Sequence, residues 1–529
     1  MPSRLAPLPL ALVVLATIGV GAVAAADFPA KDARYHSYAE MVQVLQDTQT
    51  AHPDIVEVRS IGKSYGGRDI WAVKVSDNVA ADESEPEILF DSLHHAREHL
   101  SLEQTLAILR WLTDGYGTDA RITKIVDRTE IWMIPSVNPD GAEYDLTGNP
   151  YREWRKNRQP NAGSTHRGID LNRNYGYRWG CCGGSSGSTA SPTYRGKAAF
   201  SAVETQVVRD FILSRRVDGR QQIKLAITFH TAGEQILWPY GYTKTDVPSD
   251  MTRDDHAALV AIGQRMASRN GYTAMQSSSL YVTDGDEIDW AYGNQRIWMF
   301  TFELYPSHAK VSSTGRFYPP DEVIGRETAR NREAILFFLE RAWCRYSLIG
   351  KTTTNCGPLF DDFEVSAGWQ VDPLGTDTAT HGAWQRGNPD PTLSQAGTVP
   401  SGSRALVTGA AAGSGASAND VDGGVTSVRS PAVSLPASTG SLTFRYAFGH
   451  AASSPDDGLR AYVEAEDGTR TVVLEVLGTT ATRLPSWASA SIPMTSWAGQ
   501  TVRIVFEAAD LAGDSRVEAV VDDVRITRP

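Results

Sequence analysis

Cysteine is scarce in this chain: there are four in 529 residues, with no Cys-x-x-Cys pair. That excludes a cysteine-ligated zinc and a disulfide-dense scaffold, and it fits an oxidising compartment with few bridges. Cys344 with Cys356 is the favoured pair, because both lie where one kind of sequence gives way to another. Cys181 and Cys182 are adjacent, so they bridge each other, bridge elsewhere or stay free. Positive charge is also short: Lys and Arg number 50 against 62 Asp and Glu, for a net charge of −12. The basic residues form no stripe, so neither nucleic acid nor an anionic membrane is expected as a partner. Nothing in the pattern asks for a second subunit, and a monomer is expected.

Long apolar runs are missing after the first 26 residues. Within those 26, Arg4 precedes an apolar stretch from about Leu8 to Val20, and small residues follow at Ala22, Ala24 and Ala26. This is the layout of a cleaved secretory signal. A membrane anchor is the rival reading, but the run is shorter than the ~20 residues a span needs and lacks a basic flank. The expectation is a soluble protein secreted to the extracellular medium.

Two kinds of sequence follow. From residue 27 to 356, strand-like and helix-like segments alternate. Glu87–Leu93, Glu130–Ser136, Lys224–Phe229 and Ile297–Phe302 read as strands, and Leu100–Leu112 as a helix. Glu322–Trp343 reads as a long closing helix. This alternation predicts a three-layer α/β/α domain with a mixed central sheet. From 357 to 529 helical periodicity vanishes. Short alternating runs appear at Ser441–Tyr446, Leu459–Glu464, Thr471–Val476 and Thr501–Phe506. They predict an all-β sandwich, jelly-roll-like, with residues 408–417 as a low-complexity loop.

Three residues stand out in the first region. His95 and Glu98 follow a strand, three positions apart, and His230 ends another strand. Strand ends in open α/β sheets are where ligands collect. Two imidazoles, one carboxylate and an open position make a catalytic zinc site rather than a closed structural one. His94 competes with His95, but neighbouring strand residues face opposite ways, and the His-x-x-Glu spacing selects His95. Glu303 ends the apolar run Ile297–Phe302, where a carboxylate is costly without a partner or a task.

With these residues the chain resembles the zinc metallocarboxypeptidases of the A/B type, and among them the bacterial carboxypeptidase T and Streptomyces enzymes. The resemblance covers about residues 27–356. It rests on His95-Ala-Arg-Glu98, Asn138-Pro-Asp-Gly141, Trp154-Arg155-Lys156, Asp170-Leu-Asn172-Arg173-Asn174, His230, Tyr281 and Phe302-Glu303, in that order. It implies a Zn²⁺ held by His95, Glu98 and His230, with Glu303 as general base and Arg155 as the group stabilising the oxyanion. Asn172, Arg173 and Tyr281 would clamp the substrate's terminal carboxylate, a role suited to the planar fork of arginine. Arg97 and Arg152 would act behind these groups or at an outer subsite.

The resemblance also implies a pocket for the C-terminal side chain, with its wall in residues 283–290 and its floor at Thr301. Ile288 points to apolar or aromatic side chains, whereas Asp286 adds a carboxylate suited to basic ones, so dual specificity is expected. The acidic run from Asp82 to Glu87 resembles a structural Ca²⁺ site, formed by Asp82, Glu83 and Glu87 with Glu130, Tyr35 and Glu40. Phe360-Asp-Asp-Phe-Glu364 and Asp522-Asp-Val-Arg-Ile526 vaguely resemble the ends of a jelly-roll module. The substrates implied are peptide and protein C-termini. A peptidoglycan-trimming carboxypeptidase and a non-catalytic scaffold that binds C-terminal peptides are the alternatives.

Overall fold

In a computed structural model of the chain, the described residues are 27–529, apart from 83–84, 218–219, 308–314, 362, 364–367, 401–403, 412–418, 438, 512–514 and 528–529. The leader-like residues 1–26, together with Glu83, Asp362, Glu364 and most of the 408–417 segment, lie outside them. No helix among the described residues is long and apolar enough to cross a membrane.

The first region is built on an eight-stranded mixed sheet. Its strands are β1 (Val56–Lys63), β2 (Asp69–Val75), β3 (Glu87–Ser92), β4 (Glu130–Ile134), β5 (Ile223–Thr231), β6 (Gln235–Trp238), β7 (Thr273–Gln276) and β8 (Trp298–Leu304), in the order β1-β2-β4-β3-β5-β8-β6-β7. The four central strands β4, β3, β5 and β8 run parallel. They are apolar almost throughout because both faces are covered, as parallel strands require. On one face, helices α1 (Tyr38–Ala51), α2 (His99–Gly115) and α3 (Arg253–Asn270) share a core with Phe90, Ile227, Phe229 and Phe300. On the other, Leu89, Trp132, Ala226 and Met299 pack with Leu171, Tyr175, Phe211 and Trp290.

The predicted central strands and the helix after β3 are present, with ends shifted by one to three residues. Strands β1, β2, β6 and β7 were not marked out by periodicity; β1 and β7 are half-exposed and β6 and β7 have four residues each. The closing helix is a correction. A 3₁₀ turn at Asp321–Val323 leads into Ile324–Arg330 and then Arg332–Leu339, with a break at Asn331. The buried Asn331 side chain donates to Gln104 Oε1 at 2.8 Å and accepts from Asn270 Nδ2 at 2.9 Å. This polar junction pins the chain where the apolar pattern alone reads as continuous.

After Leu339 the chain passes a Cys344–Cys356 disulfide, and Trp343 stacks on Phe360 at 4.1 Å between ring centroids. The second region holds two antiparallel sheets. One orders Trp384–Gly387, Ala405–Thr408, Arg516–Ile526, Ser441–Ala451 and Ala488–Pro493; the other orders Gln370–Val371, Gly424–Arg429, Thr501–Asp510, Gly458–Ala465 and Arg470–Leu477. Phe444 and Val521 from the first meet Phe506 and Val463 from the second in one apolar core. The four predicted β runs all fall inside these strands.

Candidate functional site

Register places the key residues before any side chain is considered. Strands β5 and β8 pair in parallel with His230 opposite Glu303, and β3 pairs with β5 so that Ser92 lies opposite Phe229. The chain then leaves β3 through Leu93, whose φ of 59° is left-handed. A non-glycine residue there costs roughly 1–2 kcal/mol. The turn lies outside the strand, so strand alternation does not apply to His94 and His95. His95 nevertheless turns to the cluster and His94 turns elsewhere, as spacing suggested but for a different reason. Glu98 sits at the N-cap of α2.

His95, Glu98 and His230 converge. His95 Nδ1 lies 2.9 Å from Glu98 Oε1, His230 Nδ1 lies 2.9 Å from Glu98 Oε2, and the two Nδ1 atoms are 3.0 Å apart. All three residues are buried. Two imidazole nitrogens directed at each other beside one carboxylate are a poor hydrogen-bonding arrangement but a good set of metal donors, and the donor chemistry is that of zinc. Behind His95, Asp170 Oδ1 approaches Nε2 at 3.2 Å, the placement by which a carboxylate fixes the orientation of a ligating imidazole. Burial alone raises the Asp170 carboxyl, but Arg155 and His95 outweigh it and hold Asp170 well below the usual range. Burial lowers the His230 imidazole and neighbouring His95 lowers it further, which favours the neutral, ligating form.

Around this set opens a cleft lined by Arg155, Asn172, Arg173, Tyr281, Thr283, Asp286, Ile288, Thr301, Glu303 and Phe317. Arg155 Nε donates to Asp170 Oδ2 at 3.0 Å, which aims its guanidinium across the cluster. Arg173 donates from Nε to the Gly184 carbonyl at 3.0 Å, and its guanidinium carbon lies 5.9 Å from the Tyr281 ring centre. Tyr281 is 51 % exposed, so its hydroxyl is free to meet a ligand. Asn172 receives the Glu287 backbone N–H on Oδ1, while its Nδ2 sits 3.4 Å from His230 Nε2. Burial and the nearby Glu98 carboxylate push the Glu303 carboxyl up to about 8.

A model of the zinc carboxypeptidase family matches residues 41–334, more than half of the chain. The chain belongs to that family. It is 49 % identical over 326 residues to a zinc carboxypeptidase of Saccharothrix mutabilis subsp. capreolus, covering 62 % of this chain and 74 % of that one. It is 32 % identical over 275 residues to carboxypeptidase A1 of Sus scrofa, covering 51 % of this chain and 62 % of that one. Among solved structures, carboxypeptidase A from Helicoverpa armigera superposes with a TM-score of 0.51 at 28 % identity, covering 59 % of this chain and 74 % of the other. The protein is therefore a zinc-dependent peptide hydrolase acting on C-termini, with a metallocarboxypeptidase fold.

The eight-residue wall of the expected pocket divides its work. Thr283, Asp286 and Ile288 face the cleft, as does Thr301 below them. Asp284 turns away and accepts from Cys182 N at 3.1 Å and Gly184 N at 2.9 Å. These bonds hold a loop closed by a Cys181–Cys182 disulfide against the wall. A Cβ on Gly184 would lie 2.4 Å from the Thr283 backbone, so only glycine permits this approach. Asp289 accepts the N–H groups of Gly241 and Tyr242.

Some expected residues are elsewhere. Arg97 lies with its guanidinium carbon 3.9 Å from the centre of the Phe317 ring, so it supports the cleft rim rather than lining the cleft. Arg152 binds Thr147 outside the cleft.

Among the described residues of the expected calcium site, Tyr35 and Glu40 make contacts of their own away from Asp82, Glu87 and Glu130. Asp82, Glu87 and Glu130 do gather, but Arg215 lies among them, with Nη2 at 2.7 Å from Glu87 and 2.8 Å from Asp82, and Lys74 reaches Glu130 at 3.0 Å. Two side-chain cations already supply the positive charge. The Tyr35 hydroxyl donates to the Pro319 carbonyl, and Glu40 closes the capping box of α1 on Ser37. Asp170 lies inside the Asp170–Asn174 motif and Glu287 inside the 283–290 wall, but nothing in the sequence gives either of them, or Asp91, a task. Their signal, single acids inside or beside apolar segments, recurs along the chain and is too weak to single them out.

Proposed function

We propose that this chain is a secreted exopeptidase that removes both apolar or aromatic and basic C-terminal residues, with His95, Glu98 and His230 as the zinc ligands and Glu303 as the general base. What supports this reading is the meeting of His95, Glu98 and His230 beside an open cleft lined by Glu303, Arg155 and Arg173. Bound zinc would supply Lewis acidity, polarising a carbonyl and making water a stronger nucleophile. Arg173, Asn172 and Tyr281 hold the substrate's terminal carboxylate, which sets the last peptide bond beside the metal donors. An internal peptide bond would leave Arg173 without its anion, and this is the basis of the restriction to chain ends. Glu303 takes a proton from the attacking water as the C–O bond forms. Arg155 donates to the developing oxyanion. Glu303 then gives the proton to the departing amine nitrogen as the C–N bond breaks, leaving two free termini.

Specificity follows from the pocket. Ile288 and Thr301 accept an apolar ring or chain, and Asp286 offers a carboxylate to a lysine or arginine. In this reading residues 1–26 are the export signal, 27–356 form the catalytic domain, and 357–529 form a jelly-roll-like accessory domain. The test is hydrolysis of blocked dipeptides ending in Phe, Leu, Arg and Lys by zinc-loaded protein, beside their C-terminal amides. Cleavage of all four acids and none of the amides is expected. Cleavage of the amides at similar rates would overturn the clamp, and no cleavage of the Arg and Lys substrates would overturn dual specificity.

A further inference from the structure

One buried group of chemistry-bearing side chains takes no part in the site described above. Asp91 near the end of β3, His94 beyond the Leu93 turn and Glu287 at the start of the helix Glu287–Gln295 meet beneath the cleft, all with no solvent exposure or almost none. His94 Nδ1 lies 3.4 Å from Asp91 Oδ1, and His94 Nε2 lies 3.2 Å from Glu287 Oε2 and 2.8 Å from the Tyr175 hydroxyl. One donor atom from each of the three residues falls within 4.8 Å of the other two.

Their hydrogen bonding is incomplete. The carboxyl oxygens of Asp91 and Glu287 and Nδ1 of His94 are buried with few well-aligned partners; the Thr228 hydroxyl reaches Asp91, the Tyr175 hydroxyl reaches Glu287, and the two carboxyls meet each other. Three other buried carboxylates of this region meet side-chain cations: Asp170 meets Arg155, Glu87 meets Arg215 and Glu130 meets Lys74. Among the described residues no lysine or arginine pairs with Asp91 or Glu287. Two carboxylates buried together without a cation cost several kcal/mol per ion. Burial raises both Asp91 and Glu287. An imidazole beside two carboxylates is a borderline-metal donor set, and a dication would neutralise the pair.

We propose that Asp91, His94 and Glu287 form a second metal site, taking a divalent transition ion such as zinc, distinct from the site of His95, Glu98 and His230. The two adjacent histidines then each serve a different ion. The second ion ties β3 to the helix that begins at Glu287, and so to the Asp286–Ile288 wall of the specificity pocket. Its task is structural, because Asp91, His94 and Glu287 do not line the cleft.

The experiment counts metal. Full-length protein is stripped with a chelator, reloaded with excess zinc, desalted and analysed by mass spectrometry of the elements. Two zinc ions per chain are expected in the wild type, one in Glu287→Gln and one in His230→Asn, because each substitution empties a different site. One ion in the wild type, or two in Glu287→Gln, would overturn the proposal, whereas two ions in His230→Asn would count against the catalytic ligand set instead. If Glu287→Gln fails to fold, anomalous diffraction at the zinc edge from wild-type crystals decides. A peak among Asp91, His94 and Glu287 supports the site, and an empty position sinks it.

Discussion

The two halves of this chain bury acids in different ways. In the α/β region, several buried carboxylates are met by basic side chains: Asp170 by Arg155 and His95, Glu87 by Arg215, Glu98 by two histidines. In the β region, Asp420 and Asp510 are buried at the sandwich edge beside other acids. Burial and those neighbours push both carboxyls up to about 6. The first arrangement stores charge where chemistry can use it. The second leaves acids that prefer a proton, as Glu303 does in the first region. Parallel strands end together at one edge and can pool their terminal residues there, whereas antiparallel strands scatter theirs over both ends of a sandwich.

The largest effect should come from Glu303. Glu303→Gln is expected to lower kcat/KM by about 10³-fold, in the range of a lost general base, with zinc content unchanged. Full activity in this variant would remove Glu303 from the mechanism. The wild-type pH profile carries the same residue. A base works ionised, so activity is present above its pKa and falls as pH drops through it. Bound zinc favours the ionised form, so the acid limb should lie below pH 8 in the loaded enzyme.

Next in size is the clamp. Arg173→Ala should cost about 10²-fold in kcat/KM on substrates with a free C-terminus, the scale of an unpaired charge in a buried ion pair. The loss should be mainly in KM, read from initial rates. A loss confined to kcat would move Arg173 from binding to the chemical step.

Asp286→Asn should act more narrowly. It is expected to reduce cleavage of Arg- and Lys-ending dipeptides about 10-fold while leaving Phe-ending ones within about twofold, since one exposed-to-ligand charge pair is worth about 1–2 kcal/mol. Equal losses on all four substrates would show that Asp286 holds the wall through its bonds to Thr283 and the Asp289 N–H rather than reading the substrate.

The smallest effect tests the β region. Asp420 and Asp510 have folded values near 6, above the ~3.9 of an unfolded aspartate. Their folded form therefore favours the proton. The associated stability is full below about pH 4 and is lost as pH rises through 6. Calorimetry should show the β region unfolding a few degrees lower at pH 7 than at pH 5, and Asp510→Asn should narrow that gap. An unchanged gap would assign the pH dependence to other groups.

Much of the catalytic half was legible because its signals are local and periodic. The strands around Phe90, Ile227 and Phe300 are apolar runs, and the ligands stand at their ends. The edge strands β1 and β7 and the break at Asn331 were not legible, since each depends on a neighbour remote in sequence. The cation among the acids at Asp82 was not legible for the same reason: nothing near Asp82 announces that Arg215 will reach it from 133 residues away.

The sequence alone determined the residue types and their order: two histidines and a glutamate for a metal, a lone acid after an apolar strand, arginines for anions. Those are properties of side-chain chemistry and strand periodicity. Only the tertiary structure decided which groups meet. It set His230 beside Glu303 through β5–β8 register, turned His94 away from His95 at Leu93, and gave Asp284 to a loop while leaving Asp286 to the cleft. Contacts between remote residues follow from how strands pair and helices cover them, and no local pattern encodes that.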